Sequence, residues 1–388
     1  MPHSNTPWTC TKASPNGPYQ DSWICAILSG GGYIGFINGT TREQCDGNAQ
    51  LIINAVNNYY DMRNAVSSIC EMANDNSELR NAQMLAMAVL KNIPITPIPI
   101  FNNSLWSKKR TEAVSAQSDA FVAELINQTK GPGKTWMNSY QYSTPIYWVD
   151  SNTPKVPVAI VQNGNTLSSL ALHQELQKGV PIPVNALPAA GTDGTITFID
   201  VDSLKLYEFW QFAKVNGQWQ ANWGGIINNV QTDGVMPIVN GEHWGATATS
   251  LPASAGMILL SELASGAIPH ALAFAIPSPK YAFVSPANRS DGDGDKLIPE
   301  GTAFKFPADI VIDPSWCPMI KMMVTAVRDY GMILRDRSGC VNFYAEDPTQ
   351  YGFKTDPYLA YYNGLQLWDI ILQFPWDKLK AIEPIPAV

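Results

Sequence analysis

The sequence predicts a mainly β protein, with a β-sandwich or jelly-roll-like domain, a small helical N-terminal region and two inserted helices. Short runs of β-branched and aromatic residues, separated by Gly, Pro and Asn, recur through most of the 388 residues. Near the start, apolar residues instead recur at helical spacing. Hydrophobic residues make up 45% of the chain, enough for a large core, and charged residues make up only 15%.

The N-terminal region is predicted to contain two packed helices. Apolar positions follow a helical period over residues 47–72, and strong helix formers continue over residues 77–90. Residues 93–100 then read IPITPIPI, in which the repeated proline forbids a helix and favours an extended connector. We therefore expect a small helical region over residues 1–95 and a β-rich main domain over residues 96–388.

The main domain is predicted to consist of short strands and two helices. Five strands are expected at residues 146–149, 156–161, 195–201, 204–212 and 271–276. One helix is expected at residues 253–264, before Gly266, and another at residues 315–330, between Pro314 and Gly331. Residues 332–334 and 341–344, separated by a Gly-containing turn, predict a hairpin.

The composition excludes two classes of partner and suggests a cellular location. A net charge of −8 and a pI near 5.0 give no basic face for nucleic acid, and no apolar run is long enough to span a membrane. Met1-Pro2-His3-Ser4 does not begin a signal peptide, so export would need a removed signal or another route. None of the six cysteines has metal-site spacing. They are Cys10, Cys25, Cys45, Cys70, Cys317 and Cys340.

An even number of cysteines predicts local disulfides and a protein that works outside the reducing cytoplasm. Cys317 with Cys340 is the favoured pair, and buried free thiols are the alternative. The sequence does not fix an oligomeric state.

Two acidic residues fall on otherwise apolar strand faces. Strand residues two apart share a face, so Asp200 lies with Phe198, and Glu208 lies with Trp210. If residues 202–204 form a three-residue loop, the two acids become diagonal neighbours, about 7 to 8 Å apart at the backbone. Their carboxyl groups would then reach the roughly 5 to 9.5 Å separations of paired-carboxylate glycosidases. A two-residue loop would place the acids on opposite faces.

The dipeptide Asn216-Gly217 predicts a second hairpin with a two-residue turn. This register places Trp210 opposite Trp223, and Glu208 opposite a glycine at position 225. Sugar rings stack on such indole faces, and a carboxyl group held against them would have a raised pKa suited to general-acid catalysis. The alternative is that the tryptophan pair packs in the core and that Glu208 is paired with a cation.

Three further features are candidates for the site. His270 opens an apolar strand, where it is either a general base or a satisfied structural histidine, while His243 and Trp244 lie in a Gly-rich loop suited to binding. The stretch DGDGD at residues 291–295 alternates carboxylates with glycines and predicts either a calcium loop or a solvated turn. The calcium ligands would be Asp291, Asp293 and Asp295, with Glu300 as a further ligand.

Residues 181–347 carry a resemblance to a known family through short motifs. These are VPIP at 180–183, GTDG at 191–194, YEFW at 207–210, IPHAL at 268–272, IPEG at 298–301 and YGM at 330–332. The stretch resembles an uncharacterised family of exported bacterial proteins with no settled activity. The resemblance draws attention to Glu208, Trp210 and His270.

The favoured function is a secreted glycoside hydrolase acting on a neutral or weakly charged polysaccharide, with no cofactor other than a structural calcium. Glu208, Asp200 and His270 would be catalytic. The substrate-binding residues would be Trp210, Trp223, His243 and Trp244. One alternative is a non-catalytic carbohydrate-binding, adhesive or virion-surface protein that uses the same tryptophans. Another is a structural assembly subunit that docks through its N-terminal helices.

Overall fold

The computed structural model describes residues 9–12, 23–29 and 32–39, and residues 98–386 except 132, 354 and 355. The chain divides into two compact units, Met1–Ile95 and Thr96–Val388. The helices predicted at residues 47–72 and 77–90 lie outside the described residues, as do Cys45 and Cys70.

The described part of the first unit is an antiparallel sheet of three strands in the order β1-β2-β3. The strands are β1 Thr9–Lys12, β2 Trp23–Ser29 and β3 Gly32–Gly39. Cys10 and Cys25 are register partners on β1 and β2. The sequence analysis predicted no strands here, although WICAILS followed by Gly30-Gly31 is a hairpin signal.

The second unit is mainly β, as predicted, with few helices and several sheets that form no barrel among the described residues. Its helices are α1 Ser118–Gln128, α2 Ala171–Leu176, α3 Leu260–Ser265 and α4 Pro318–Tyr330. Its strands begin with β4 Thr135–Asn138, β5 Ile146–Val149, β6 Lys155–Val156, β7 Val158–Gln162, β8 Asn165–Thr166, β9 Val180–Pro181, β10 Ile196–Asp200, β11 Leu206–Trp210, β12 Ala213–Val215 and β13 Gln218–Ala221. They continue with β14 Trp223–Ile227, β15 Ile238–Val239, β16 Glu242–His243, β17 Leu272–Ile276, β18 Lys280–Phe283, β19 Pro299–Glu300, β20 Ala303–Lys305, β21 Met332–Arg337, β22 Val341–Tyr344 and β23 Lys380–Ala381.

Three large sheets organise this unit. Two have four strands, in the orders β14-β11-β10-β5 and β12-β13-β7-β8, and one has six, in the order β23-β20-β21-β17-β22-β4. One continuous hydrophobic core joins residues of all three sheets, such as Phe198, Ile160 and Ile333. Because the sheets share one core, the unit is consistent with a sandwich-like fold.

The hairpin at Asn216-Gly217 is confirmed, with φ angles of 49° and 82° at the two turn residues. Trp210 lies opposite Trp223 in the strand register, and Glu208 lies opposite Gly225. The long hairpin passes from one four-stranded sheet to the other, since β11 and β14 belong to the first and β12 and β13 to the second.

The hairpin predicted for residues 332–344 is wrong. Both strands exist, but β17 lies between them, parallel to β21 and antiparallel to β22. A short turn signal shows that the chain reverses, but it does not show that a strand from elsewhere has entered the gap.

Of the two helices predicted in the β-rich region, one is confirmed and the other is shorter than predicted. Helix α4 forms as predicted, with Pro318 in its first turn and Gly331 after its end. Helix α3 begins only at Leu260, so the predicted helix at residues 253–259 is wrong. Gly256 there has φ 69°, and its carbonyl accepts a hydrogen bond from the backbone of Ala273 on β17 at 2.8 Å. This close backbone contact with a strand replaces the first turns of the helix.

Candidate functional site

A cleft of about 1130 Å³ opens on the second unit. Its lining combines aromatic, amide and charged side chains from several loops and strand ends. The aromatic residues are Trp136, Tyr142, Trp210, Trp223 and Tyr344. The charged residues are Asp193, Asp291, Asp336, Arg289, Arg335 and Arg337.

The cross-strand tryptophans lie in the wall of this cleft. Both indoles are half-buried. The Nε1 of Trp223 donates to the carbonyl of His243 at 3.0 Å, and the Nε1 of Trp210 lies 3.5 Å from Oδ1 of Asp193. Trp136 adds a third indole, which packs on Trp368 with ring centroids 5.5 Å apart. The edges of the first two rings are therefore fixed.

Glu208 is sealed behind the cleft and does not open into it. Its side chain is fully buried. One carboxylate oxygen accepts the N–H of Ala246 at 2.8 Å and the other accepts the N–H of Ala253 at 2.7 Å. Burial raises the pKa of Glu208 to about 7, although both N–H groups and the cations of Arg335 and Arg289 act to lower it. The predicted role of Glu208 as an acid in contact with substrate is therefore wrong.

Asp200 does not pair with Glu208 across β10 and β11. Thr197 lies opposite Glu208, one residue away from the predicted register, so the two acids lie on opposite faces of the sheet. Oδ1 of Asp200 instead accepts the N–H groups of Asp202 at 3.0 Å and Ser203 at 3.2 Å. These bonds close a four-residue loop in which Leu204 has φ 60°, and the loop shifts the register.

Charged side chains fix a loop that lines the cleft, residues 243–255, which we call the floor segment. Arg289 donates to the carbonyls of His243, Gly245 and Thr247 at 3.1, 2.7 and 2.5 Å. Arg335 donates to those of Pro252, Ala253 and Ala255 at 3.4, 2.5 and 3.0 Å. Together with the two N–H groups bound by Glu208, these contacts hold both ends of the floor segment.

A β-bulge on β21 brings two neighbouring charged side chains to the cleft. The pairing with β17 moves from Leu334 directly to Asp336, so Arg335 is the extra residue. Arg335 and Asp336 consequently both line the cleft rather than alternating across the strand. The Arg335 guanidinium also lies over the ring of Tyr344, 4.0 Å from its centroid.

Three carboxylates meet at the wall of the cleft: Asp291, Glu300 and Asp336. Each offers one oxygen, and these oxygens lie within 4.8 Å of one another, close enough to share a metal ion. Oε2 of Glu300 accepts the N–H of Asp291 at 3.1 Å, whereas the buried Oε1 has no hydrogen-bond partner. Burial and the neighbouring aspartates raise the pKa of Glu300 to about 8. Burial, with Asp291 next in importance, raises the pKa of Asp336 to about 7.

The structure brings together only part of the ligand set predicted for a calcium loop at residues 291–295. Asp291 belongs to the carboxylate cluster, with Glu300, the anticipated further ligand. Asp293 and Asp295 are exposed and stand outside it, and Asp293 lies 3.7 Å from Arg337.

His270 pairs with an acid on the neighbouring helix α3. Its Nε2 lies 2.9 Å from Glu262 on α3, and its Nδ1 lies 2.8 Å from the carbonyl of Ala271. Burial lowers the pKa of His270, but the Glu262 carboxylate outweighs burial, so the pKa is raised. The contacts of His270 are thus with Glu262 and Ala271 and not with Glu208 or Asp200, the other two residues predicted to be catalytic.

Two of the predicted binding residues support the cleft from behind. His243 contacts Oδ1 of Asn288 through Nδ1 at 2.9 Å. Trp244 is buried, and its Nε1 donates to Glu242 at 3.2 Å. Among the described residues, neither belongs to the cleft lining.

The predicted disulfide between Cys317 and Cys340 is wrong, because both are free thiols. Cys317 is buried, and the half-buried Cys340 lies in the wall of the cleft.

Several residues of the cleft were not predicted as site residues, notably Asp193, Arg289 and Arg335. The one available signal was MILRDR on β21, where charged residues follow an apolar strand without alternation, a pattern typical of a bulge. Trp136 gave no signal, since a lone tryptophan on a short strand is ordinary core composition.

Fold and site together define a mainly β protein with an aromatic-lined cleft and a carboxylate cluster in its wall. Comparison with protein-family models, curated proteins and solved structures finds no match for this chain. The resemblance over residues 181–347 to exported bacterial proteins therefore stays an expectation. Among the described residues, no helix has the length and apolar character to cross a membrane.

Proposed function

We propose that the cleft binds a carbohydrate chain and that the protein works outside the reducing cytoplasm. The observation that carries this proposal is the group of three indoles, Trp136, Trp210 and Trp223, around one cleft. The electron-rich face of an indole attracts the slightly positive C–H groups on the face of a sugar ring, and burial of both surfaces adds a hydrophobic contribution.

The rest of the lining also suits a polyhydroxylated ligand. Five amide side chains offer both donors and acceptors to hydroxyl groups. They are Asn138, Gln141, Gln162, Asn222 and Asn342. The volume of about 1130 Å³ exceeds the roughly 300 to 1,000 Å³ of most small-molecule pockets, which favours an oligosaccharide segment over a single sugar.

Affinity pull-down on insoluble polysaccharides tests this proposal. The wild type is expected to be retained by at least one of cellulose, chitin, starch and xylan. Trp210→Ala and Trp223→Ala should each weaken retention about tenfold or more, because loss of an aromatic anchor typically costs about 2 kcal/mol. Tyr281→Ala removes an aromatic ring that is 71% exposed outside the cleft and should change nothing. Equal retention of all four proteins would contradict carbohydrate binding at the cleft.

Hydrolysis is the second candidate function, and one observation favours it. The Asp193 carboxylate lines the cleft beside Trp210, so an exposed acid stands at the edge of a stacking ring. Hydrolysis requires a second carboxylate across the bound sugar. Asp336 lines the same cleft and would supply it in this candidate function in place of holding a metal ion. Release of reducing ends by the wild type, but not by Asp193→Asn, would support a glycoside hydrolase. Retention of the protein on a polysaccharide without release of reducing ends would indicate a protein that binds carbohydrate but does not cleave it.

The metal that we propose for this cleft is calcium, held by Asp291, Glu300 and Asp336. All three residues offer oxygen, the ligand atom that calcium prefers, and a calcium ion would offset the repulsion among their carboxylates.

A further inference from the structure

The carboxylate cluster occupies a position from which a bound ion can reach the ligand of the cleft. Glu300 is fully buried, whereas Asp291 is exposed and Asp336 half-buried, and these two line the cleft. An ion held by all three oxygens would therefore lie between the interior and the cleft, with protein on one side only.

The buried oxygen of Glu300 is an independent indication of a ligand. Its Oε1 is out of contact with water and has no hydrogen-bond partner, an arrangement that costs about 1 to 3 kcal/mol when nothing compensates it. The other two members of the cluster, Asp291 and Asp336, are themselves acids and give this oxygen no donor. The Ser290 hydroxyl and the Arg289 charge also act on the Glu300 carboxylate, but Oε1 still has no hydrogen-bond partner. A metal cation would give this oxygen and both aspartates one shared partner, in addition to the charge of Arg289.

The number of ligands leaves coordination positions open. Calcium takes six to eight oxygen ligands at about 2.3 to 2.6 Å, and three carboxylates supply at most six of them when all bind through both oxygens. Glu300 already uses Oε2 as an acceptor for the N–H of Asp291, so it offers chiefly Oε1. The remaining positions face the cleft, where water or ligand oxygens can fill them.

We infer that a divalent cation at Asp291, Glu300 and Asp336 binds hydroxyl oxygens of the carbohydrate directly, so that carbohydrate binding depends on the ion. The contact between the ion and the carbohydrate rests on the proposed function, whereas binding of the ion does not. Neighbouring hydroxyls of a neutral sugar match the need of calcium for several oxygen ligands in a flexible arrangement.

The first experiment measures the ion alone. The full chain is stripped with EGTA and titrated with CaCl2 by calorimetry. One site is expected in the wild type, with at least tenfold weaker binding in Glu300→Gln, a change of similar shape that preserves the buried volume. Asp295→Asn is the matched control, because it removes an exposed acid of the same loop outside the cluster. Melting curves without calcium check that each variant is folded.

The second experiment repeats the polysaccharide pull-down in CaCl2 and in EGTA. We expect retention of the wild type and of Asp295→Asn to fall about tenfold or more in EGTA, and retention of Glu300→Gln to be low in both. Absence of calcium binding, or equal binding by Glu300→Gln, overturns the ion site. Calcium binding with unchanged retention in EGTA overturns the link to carbohydrate but leaves the proposed function intact. Calcium binding with no retention on any polysaccharide overturns the link together with the proposed function.

Discussion

At the scale of single residues, Glu208 shows how a buried acid can look catalytic in sequence and serve the fold instead. Its raised pKa and its place beside a tryptophan pair are the features of a general acid. Both of its oxygens, however, are occupied by backbone N–H groups of the floor segment. A carboxylate engaged in this way stabilises a loop and has no free oxygen to offer a ligand.

Replacing this acid should therefore reduce stability before it affects binding. In Glu208→Gln an amide NH2 replaces one acceptor and faces the N–H of Ala246 or Ala253. We expect a loss of about 1 to 3 kcal/mol in the free energy of unfolding, measured by urea denaturation. Asp295→Asn, an exposed change, should stay within about 0.5 kcal/mol of the wild type. An unchanged unfolding midpoint for Glu208→Gln would show that the floor segment does not depend on this carboxylate.

His270 provides a stability contribution that depends on pH. Since its pKa is raised in the folded protein, its pairing with Glu262 stabilises the fold fully below the ordinary histidine pKa of about 6.5. This contribution is lost as pH rises through the folded-state pKa. The difference in Tm between wild type and His270→Gln should accordingly be largest near pH 6 and shrink towards pH 9. A difference that grows with pH would contradict the ion pair.

At the scale of elements, the five strands predicted in the second unit coincide with observed strands, whereas the three strands of the first unit were missed and strand pairing was predicted unevenly. The Asn216-Gly217 hairpin was predictable to the residue because both turn positions need positive φ, which this dipeptide supplies. The register of β10 and β11 was not, because its loop depends on hydrogen bonds to Asp200 and on positive φ at a leucine, neither of which has a reliable signature. Because the observed register differs by one residue from the predicted one, the predicted pairing of Asp200 with Glu208 fails.

The helix predicted at residues 253–259 does not form, because long-range contacts override the local helix propensity. Apart from Ser254 and Gly256, this stretch consists of apolar residues that a helix accepts, but contacts distant in sequence determine its conformation. The contact between Gly256 and β17 leaves no room for a side chain, since a Cβ there would lie 2.6 Å from the backbone nitrogen of Ala273.

Two glycines with the same backbone angle separate this steric effect from conformational strain. Gly256 and Gly266 both have φ 69°, but a Cβ on Gly266 would meet no atom within 4 Å. Gly266→Ala should cost only the strain of positive φ, about 1 kcal/mol, whereas Gly256→Ala should cost clearly more. Thermal and urea unfolding of the two variants test this difference. Equal costs would mean that residues 253–259 are less tightly packed against β17 than described.

At the scale of the whole molecule, the mainly β class followed from the strand and turn texture, whereas the cleft did not. Its lining comes from positions as far apart as Trp136, Asp193 and Tyr344, which only the folded chain brings together. A single sequence does not show which distant residues become neighbours. Trp210 and Trp223 could therefore be named as candidates, but the full lining of the cleft could not be predicted.

Buried carboxylates should make the whole protein more stable at mildly acidic pH. Burial raises the pKa of both Glu208 and Glu346 to about 7, above the ordinary value of about 4.3. Between these values the folded chain binds more protons than the unfolded chain, so the free energy of unfolding falls as pH rises. In EGTA, the Tm at pH 5.5 is expected to exceed the Tm at pH 8. A Tm that rises over this interval would contradict the burial of these acids.

The network around the floor segment also bears on how a ligand is received. Arg289, Arg335 and Glu208 engage polar backbone groups of the segment in hydrogen bonds. The residues that it presents to the cleft are small, such as Ala246, Ala248 and Ala253. Because these hydrogen bonds hold the segment at both ends, we expect an incoming ligand to meet an ordered surface and to lose little entropy in ordering this loop.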